Sequence, residues 1–449
     1  MAEERTPWPP ASPASPASST TPAASLQTIA SCVAGYDPNA LPVAQAQEFI
    51  ARLVPRVEAV EMLPIRSALG RVLARDIVSA INVPAFDNSA MDGYALRGAD
   101  LAAVGDTILT SIGTGFAGQQ FGGAVQAGQC VRIMTGAVMP LGLDTVVPQE
   151  FVKVDGERVH VPAGVVRTGD NRRLAGEDLA RGDAALRAGR LLRPADLGML
   201  ASLGQAEVPV LRRLRVAFFS TGDELRSLGE PLDAGCVYDS NRYTLWGMLQ
   251  RLGVEVLDLG VVRDDPVALA QTFKHAAANA DAVITSGGVS VGEADHTKQV
   301  MAQLGDVLFW RIAMRPGRPM AIGRINAGHG GPGAILFGLP GNPVAVMVTF
   351  YAFVRDALLA MSGAAASPLP MLRAASLEAI RKKPGRTEYQ RGIVTRSADG
   401  SCRVALTGSQ GSGILRSMSE ANGLVVLHHE QGNIAAGELV DVLPFDGLV

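Results

Sequence analysis

A glycine-rich loop that ends in two carboxylates is the stretch of this sequence best suited to chemistry. Residues 281–295 read DAVITSGGVSVGEAD, in which a short apolar run predicts a buried strand that stops before Gly287 and Gly288. Glycines permit positive φ and expose backbone N–H groups, so such a loop can cradle an anion. Glu293 and Asp295 beside that cradle suggest a bridging divalent cation. The loop matches neither GxxxxGK[ST] nor GxGxxG, so a strand-to-helix turn with two solvated acids remains the alternative.

Polar groups also follow the other predicted strands of this region, at the point where each apolar run ends. The sets are STGDE at 220–224, DD at 264–265, the loop 286–295 and GLPGN at 338–342. Because the carboxyl ends of parallel strands share one edge of a sheet, we expect these sets to form a single site.

Three arginines in the segment FWRIAMRPGRP bring positive charge to the same region, at positions 311, 315 and 318. An extended chain from Leu308 to Arg315 would place Arg311 and Arg315 on one face. Two forked guanidinium groups on one face suit an oxyanion. An arginine pair alone more often marks a solvated surface, but the apolar context here favours a ligand site.

The carboxylates near these arginines have two interpretations, as ion-pair partners or as magnesium ligands on a phosphate. No serine or cysteine stands with a histidine partner, so the sequence predicts no nucleophilic triad. The pattern therefore predicts a site for a phosphorylated, nucleotide-bearing molecule, handled by positioning and electrostatics.

Composition restricts the class of protein and its partners. The 449 residues carry a formal net charge of −3 and are 47% hydrophobic and 18% charged, which is typical of a multidomain globular protein. Such a balance gives no basic field for nucleic acid or an anionic membrane. The four cysteines are scattered without a CxxC pair, which argues against zinc, iron–sulfur and disulfide frameworks. No apolar run approaches the ~20 residues of a membrane span and no secretory signal is evident, so we expect a cytoplasmic protein.

Strand and helix patterns predict an α/β multidomain protein in five segments. Residues 1–36 are rich in proline, alanine and serine and are expected to be disordered. A helical spacing from Ala44 to Val60 opens a mixed N-terminal domain, formed by 37–81 and 183–213 around a β-rich insert at 82–182. Residues 214–362 alternate strand and helix, which predicts a central doubly wound α/β domain with its site along the strand ends. Residues 363–449 predict a small C-terminal β domain.

Twelve motifs run in order along the chain from about residue 40 to residue 449. They are DNSAMDGYA (87–95), RIMTGAVMP (132–140), GED (176–178), FFSTGDEL (218–225), YDSN (238–241), RDDP (263–266), TSGGVSVGEAD (285–295), PGRP (316–319), GLPGNPV (338–344), PGR (384–386), QRG (390–392) and GSQGSG (408–413). Together they closely resemble the molybdopterin molybdenumtransferase family, which includes MoeA and the gephyrin E domain. Linked motifs in this number are far more specific than any one of them.

The resemblance implies an elongated homodimer of four domains. Segments 37–81 and 183–213 would serve dimerisation, and the third domain would resemble the molybdopterin adenylyltransferase fold. Family members are understood to take adenylated molybdopterin, hydrolyse its pyrophosphate link with Mg²⁺ and insert molybdate into the dithiolene. The products are molybdenum cofactor and AMP. The expected partners are a molybdopterin adenylyltransferase and apo-molybdoenzymes.

In such dimers the site lies between the third domain of one subunit and the second domain of the other. The expected catalytic residues are Asp92, Thr135, Asp178, Asp295, Arg311 and Arg315. The expected substrate-binding residues are Ser89, Thr221, Asp223, Ser286, Gly287, Gly288, Ser290, Arg318, Pro340, Asn342, Arg391 and Ser412. The expected Mg²⁺ ligands are Asp264, Asp295 and Glu293. Asp92 is expected to hydrogen-bond the pterin or to orient the attacking water.

Positions 311, 315 and 318 depart from the family pattern, since they are often lysine there and are arginine here. Positive charge is kept, but a forked donor replaces a point charge. We therefore expect the affinity and orientation of molybdate to be tuned at these positions, not lost.

Two other functions fit part of the pattern. A molybdopterin adenylyltransferase is supported by the third domain alone, and it leaves the terminal domains without a role. A non-enzymatic assembly scaffold would not need Asp92, Asp178 or Asp295.

Overall fold

A computed structural model of the chain describes residues 40–289, 296–328, 331, 333–365 and 369–446. The predicted disordered tail at 1–36 lies outside these residues. So do three of the expected site residues, Ser290, Glu293 and Asp295. The five-segment division of the chain stays a proposal, and the sheets described below support it.

The first helix of the described chain, Val43–Leu53, is shorter than the predicted Ala44–Val60. Pro55 follows it, and the chain becomes a strand at Val60, because a residue before proline is biased away from helical geometry. The helix packs on the central domain, where the Phe49 ring meets Trp310 edge-on at 4.9 Å between ring centres. The N-terminal helix is thus part of the central core.

The rest of the mixed N-terminal domain consists of two small antiparallel sheets and one helix. The paired strands are Val60–Pro64 with Glu207–Leu211 and Ile77–Val78 with Ala184–Leu186, and the helix is Pro194–Ser202. Leu73, Leu200 and Val210 lie in their shared core. The two segments are therefore joined across the insert, which supports the proposed division of the chain.

The insert contains a six-stranded sheet. Its strands in spatial order are Thr145–Pro148, Gly93–Leu96, Gln129–Ile133, Thr107–Gly115, Arg158–Val161 and Lys153–Asp155. Both faces of the sheet are covered, since Tyr94 and Leu96 enter one core and Ala95 enters another. A separate pair, Asn88–Ser89 with Arg172–Arg173, holds two loops at one end of the insert.

The central domain is doubly wound, as predicted. Its six strands in spatial order are Glu255–Val262, Arg215–Thr221, Ala282–Ser286, Ala334–Leu339, Pro319–Ile325 and Gly305–Arg311. The first four strands are parallel and the last two are antiparallel. The covering helices are Ser240–Arg251, Pro266–Asn279, His296–Leu304 and the stretch from Pro343 to Met361. Alternate residues such as Phe218 and Phe219 enter separate cores on the two faces.

The last helical stretch of the central domain has the length and apolar composition of a membrane span. It comprises the α-helices Pro343–Thr349 and Arg355–Met361 with the π-helical turn Phe350–Val354 between them. The expectation that no segment has this length is therefore wrong. However, 72% of its most apolar window is buried inside the fold, which is typical of a core helix. Gln47 donates to the carbonyl of Ala352 in the π-helical turn at 2.9 Å.

The C-terminal domain is a closed barrel. Its strands in spatial order are Thr387–Arg396, Cys402–Leu406, Leu372–Ser376, Leu439–Pro444 and Gly423–Leu427, and the last pairs back with the first. The short helix Leu415–Glu420 lies between two of them. Full closure leaves no exposed sheet edge between these strands.

The segment that carries the three arginines is divided between two sheets. Gly305–Arg311 belongs to the central sheet, whereas Met314–Arg315 pairs in parallel with Thr387 and Glu388 of the barrel. The prediction of a single strand from Leu308 to Arg315 is therefore wrong. Long-range pairing with the barrel, which a local pattern does not encode, redirects the chain after Arg311.

Candidate functional site

A cleft of about 1000 Å³ opens where the ends of the central parallel strands meet the barrel. Thr221 and Ser286 are the last residues of neighbouring strands, and Leu339 pairs with Ser286 on the next. The expected residues that line this cleft from the strand ends and the loops beside them are Thr221, Asp264, Ser286, Gly287 and Gly288. Those that line its other walls are Arg315, Arg318, Pro340, Asn342 and Ser412.

Gly287 and Gly288 are glycines for steric as well as conformational reasons. Their φ angles are +94° and +68°, a region that other residues rarely adopt. A Cβ on Gly287 would lie 2.5 Å from the carbonyl oxygen of Thr221, and one on Gly288 would lie 2.6 Å from the Thr297 side chain. The loop backbone is therefore packed directly against the edge of the sheet.

Asn241, in the first turn of the helix Ser240–Arg251, connects three parts of the cleft. Its Nδ2 donates to Ser286 Oγ at 2.8 Å and to the carbonyl oxygen of Gly341 at 2.7 Å. Asn241 is absent from the residues predicted for the site, although the YDSN motif contains it. It fixes the strand end, the helix start and the 338–342 turn relative to one another.

Several buried acceptor atoms at the cleft have no protein donor in the part of the chain that the structure describes. They are Asp239 Oδ2, Asn241 Oδ1 and Thr221 Oγ1. Asp239 is 2% exposed, and its other oxygen, Oδ1, accepts the N–H of Arg242 as a helix cap at 3.1 Å. Leaving a buried polar atom unpaired costs roughly 1–3 kcal/mol. Such atoms at a cleft are expected to receive hydrogen bonds from a ligand.

The cationic wall of the cleft is formed by Arg315, Arg318 and Arg386. Arg386 is not among the residues predicted for the site, although the PGR motif contains it. Arg311, which is predicted, does not line the cleft. Its backbone belongs to the central sheet, on the far side of the redirected segment.

Arg391 supports the cleft from behind. It is fully buried, and its guanidinium donates to Ser417 Oγ at 3.0 Å and to the carbonyl oxygen of Gly411 at 3.0 Å. Burial, with the nearby positive charge of Arg315, lowers the pKa of Arg391 to about 10. Arg391 does not line the cleft, and its described side-chain contacts are with Ser417 and with the loop that carries Ser412, so its contact with the substrate stays a prediction. Ser412 Oγ accepts a hydrogen bond from Asn342 at 3.1 Å.

Two acidic side chains, Asp264 and Glu224, line the cleft in addition to the buried Asp239. Thr297 Oγ1 donates to Asp264 Oδ1 at 3.4 Å, and the backbone N–H of Asp264 donates to Asp223 Oδ1 at 3.3 Å. Asp223 thus braces the Asp264 loop and does not line the cleft. Glu224 belongs to the polar set 220–224 that the sequence places at the site, although no individual role was predicted for it. No three acidic, histidine or cysteine groups among the described residues could together hold a metal.

A second polar group, the acidic loops, lies on the insert. We use this name for the exposed residues Asp92, Thr135 and Asp178. Thr135 donates to Asp92 Oδ1 from both its N–H and its Oγ1, each at 2.7 Å. The backbone bond, followed by the side-chain bond, holds the pKa of Asp92 below its usual range. Asp92 is therefore a fixed carboxylate.

Backbone contacts hold the acidic loops together. The backbone carbonyl of Ser89 accepts the N–H of Gly136 at 2.8 Å, and Ser89 pairs with Arg172. The loop that carries Asp92 therefore contacts the loop that carries Thr135 and the segment that leads to Asp178. Ser89 itself is fully buried and its Oγ donates to the carbonyl of Met91, which makes it a turn residue, not a surface ligand. Among the described residues, none from 82–182 lines the cleft. One chain therefore carries two separate polar groups.

Sequence comparisons show which proteins this chain is similar to. Residues 41–204 match the family model of the MoeA N-terminal region (domain I and II). Residues 217–360 match a probable molybdopterin binding domain, and residues 373–445 match the MoeA C-terminal region (domain IV). The chain is 41% identical to a molybdopterin molybdenumtransferase of Haemophilus influenzae over 406 residues, which is 90% of this chain and 98% of that protein. It is 38% identical to the one from Nostoc, over 89% of this chain and 93% of that protein.

Structural comparison also finds a MoeA protein. The crystal structure of the molybdopterin biosynthesis moeA protein from Pyrococcus horikoshii OT3 has a TM-score of 0.77 and 29% sequence identity with this chain. The match covers 91% of this chain and 100% of that one.

Proposed function

The chain belongs to the MoeA family of molybdopterin molybdenumtransferases, and from this premise we propose that it inserts molybdate into adenylated molybdopterin with Mg²⁺ and releases AMP. It is a transferase of molybdenum cofactor biosynthesis. The observation that carries the detailed proposal is the cleft, in which a glycine loop, an arginine wall and buried acceptors surround one space. These groups complement a ligand with anionic groups at one end and N–H donors at the other.

Arginines and backbone groups would hold the oxyanions. Arg315 and Arg318 line the cleft and have forked guanidinium groups, whose geometry suits phosphate and molybdate oxygens. The Gly287 N–H already donates to the carbonyl oxygen of Leu339 at 3.1 Å, whereas the Gly288 N–H would add a neutral donor at the strand ends. These donors would position molybdate beside the dithiolene, and because they are held in place they need little rearrangement during the reaction.

The acidic residues that line the cleft suit Mg²⁺. This ion usually takes one or two protein carboxylates and completes its shell with water and substrate phosphates. Asp264 would hold it, and Glu293 and Asp295 stay predicted ligands outside the described residues. When bound, Mg²⁺ withdraws charge from the pyrophosphate link of the substrate.

Asp92 would act as an acceptor that orients the pterin or the attacking water. Asp92 is ionised at neutral pH, and Thr135, which donates to the charged form, lowers its pKa further below the usual 3.8. A carboxylate held this way is a weak base but a well-placed acceptor. The acidic loops need a second surface to enclose a substrate, and we propose the cleft of a partner subunit in a homodimer.

The cellular setting follows from the reaction. We propose a cytoplasmic enzyme that receives adenylated molybdopterin from a molybdopterin adenylyltransferase and passes its product to apo-molybdoenzymes. Nucleic acid and membrane are not proposed partners. An adenylyltransferase activity in this chain is less well supported, because Arg386 and Ser412 of the barrel also line the cleft and are not part of the third domain.

The direct test is a reaction of pure protein with adenylated molybdopterin, Mg²⁺ and molybdate. We expect AMP release that depends on molybdate and on Mg²⁺. Equal AMP release with and without molybdate would count against metal insertion. Adenylation of free molybdopterin by ATP would support the adenylyltransferase alternative. Undiminished cofactor formation by dimeric Asp92→Asn and Asp178→Asn variants would support the scaffold.

A further inference from the structure

Arg386 enters the cleft from the barrel with its orientation fixed by a buried carboxylate. Its Nε donates to Glu388 Oε1 at 2.8 Å, and its Nη2 lies 2.7 Å from the same oxygen. Glu388 is 3% exposed, and its Oε2 accepts from Gln390 Nε2 at 3.1 Å. Both carboxylate oxygens therefore have protein partners, and neither Glu388 nor Gln390 lines the cleft.

The rest of the guanidinium is available to the cleft. The Arg386 side chain is 40% exposed and lines the same space as Arg315 and Arg318. Arginine has more N–H donors than the Glu388 contact uses. Because an Arg–carboxylate contact fixes the plane of the guanidinium, the remaining donors point in a set direction.

The barrel also sets the distance between Arg386 and Arg315. Met314 pairs with Thr387 and Arg315 pairs with Glu388 in a parallel ladder, and Thr387 N–H donates to the carbonyl of Ala313 at 2.9 Å. Neighbouring strands are about 4.8 Å apart. Arg315 and the Glu388 that orients Arg386 are thus held on adjacent strands.

Charge near Glu388 favours the same arrangement. Lys382 is 4% exposed, and its Nζ donates to the carbonyl oxygen of Gln431 at 2.7 Å. Burial lowers the pKa of Lys382, while the negative charge of Glu388 opposes that change. Glu388 therefore has positive charge on two sides, which lets a carboxylate stay buried beside the cleft.

We propose that Arg386 is an oxyanion-binding residue of the cleft and that Glu388 and Gln390 are positioning residues that act through it. The ligand class is a tetrahedral oxyanion, either molybdate or a phosphate group of the substrate. The choice between these sources rests on the proposed function. Binding of the oxyanion alone does not require turnover, so a failed reaction and a failed anion site give different results.

The test measures binding of sodium molybdate, and separately of inorganic phosphate, to the full chain by calorimetry. We expect Arg386→Gln to raise the Kd for at least one of these ions about tenfold, since a charge-assisted hydrogen bond is lost. The matched control is Arg381→Gln, an exposed barrel arginine that does not line the cleft. Loss for molybdate alone assigns Arg386 to the metal oxyanion, and equal loss for both assigns it to tetrahedral oxyanions in general. Unchanged Kd values for both ions overturn the proposal.

The positioning role is tested by a double-mutant cycle. Glu388→Gln should raise the Kd severalfold in the wild-type background and should have no further effect once Arg386 is already glutamine. A purely structural role of Glu388 would weaken binding equally in both backgrounds, and that result would overturn its assignment. Thermal melting of each variant checks that the fold is intact. If Glu388→Gln does not fold, Gln390→Ala in the same two backgrounds takes its place.

Discussion

The cleft and the acidic loops differ in the burial of their polar groups and in how the acceptor atoms of those groups are paired. In the cleft, side chains such as Asp239 and Thr221 are nearly buried and keep acceptor atoms without a protein donor. In the acidic loops, Asp92, Thr135 and Asp178 are exposed, and Oδ1 of Asp92 already accepts two hydrogen bonds from Thr135. The cleft is thus concave and contains acceptor atoms that a ligand could satisfy. The acidic loops instead present fixed groups on an exposed surface. The two differ as the complementary halves of one site would.

The first prediction tests whether the cleft of one subunit and the acidic loops of its partner form one site. Asp92→Asn and Asp264→Asn should each lower the rate of cofactor formation about a hundredfold or more, because each removes a charged group from the reacting region. A heterodimer with one variant in each subunit, purified with two affinity tags, should recover about half of the wild-type rate. One of its two sites would then combine an intact cleft with intact acidic loops.

A heterodimer as inactive as its parents would show that Asp92 and Asp264 act within one chain. The control is a heterodimer of wild type with Asp92→Asn, which should give the same half rate. Sedimentation of all species establishes that each is a dimer.

The second prediction tests whether the cleft is shaped before ligand binds. Gly287→Ala should lower kcat/KM about tenfold and the free energy of unfolding by about 1–3 kcal/mol. Its new Cβ would meet the Thr221 carbonyl oxygen at 2.5 Å in a left-handed conformation. Gly118→Ala is a matched control, since Gly118 also has a positive φ, of +80°, but nothing lies within 4 Å of its Cβ position. Steady-state kinetics and urea unfolding separate the two, and equal effects would refute the packing argument.

The third prediction concerns Asn241, which ties the cleft loops together. Asn241→Ala should raise KM a few-fold and lower the free energy of unfolding by about 1–3 kcal/mol, because Ser286 and Gly341 lose their donor. Asn279→Ala is the control, since Asn279 is exposed and donates only locally, to the carbonyl of His275. Kinetics at several substrate concentrations give KM. A KM equal to that of the control would mean that the loops keep their places without Asn241.

The last prediction concerns Asp281, which lies at the other end of the central strands from the cleft. Burial raises the pKa of Asp281, but hydrogen bonds from Arg212 and from the N–H of Arg215 outweigh it, so the pKa lies below its usual 3.8. This contribution to stability is present above pH 3.8 and is lost as pH falls through the lower folded-state pKa.

Asp281→Asn should therefore lower the free energy of unfolding at pH 7 by about 1–2 kcal/mol and flatten its fall in acid, with kcat unchanged. Glu255→Gln, which removes an exposed pair with Arg215, serves as the control and should have a smaller effect. Urea unfolding between pH 3 and pH 7 is the measurement. A parallel pH dependence for Asp281→Asn and wild type would exclude Asp281 as the titrating group.

Much of the cleft could be predicted from sequence because it follows from strand order. Apolar runs that end in Thr221, Ser286 and Leu339 imply parallel strands, and parallel strands bring their ends to one edge. The glycine loop follows from the same logic. Asp92 and Thr135 were found through family motifs, and the residues around them give no local signal of their contact across the insert.

What sequence did not predict depends on contacts between distant segments. Arg386 reaches the cleft because a barrel strand pairs with Met314–Arg315, and that pairing joins residues more than 70 positions apart. The same pairing separates Arg315 from Arg311, which a simple alternation rule had put together. Arg391 has the charge expected of a ligand residue, but its burial is a property of the closed barrel. Charge can be read from a sequence, whereas the direction in which it points is set by the fold.

The short ladder between Met314–Arg315 and the barrel has a consequence for any attempt to shorten this protein. Arg315 pairs with a strand of the barrel, whereas Arg318 directly precedes the central strand Pro319–Ile325. The distance between these two cations therefore depends on how the barrel and the central domain are placed relative to each other. Excising the barrel would remove Arg386 and Ser412 and would also leave Arg315 without an anchor. The central domain on its own is therefore not a minimal version of this enzyme, however well it folds.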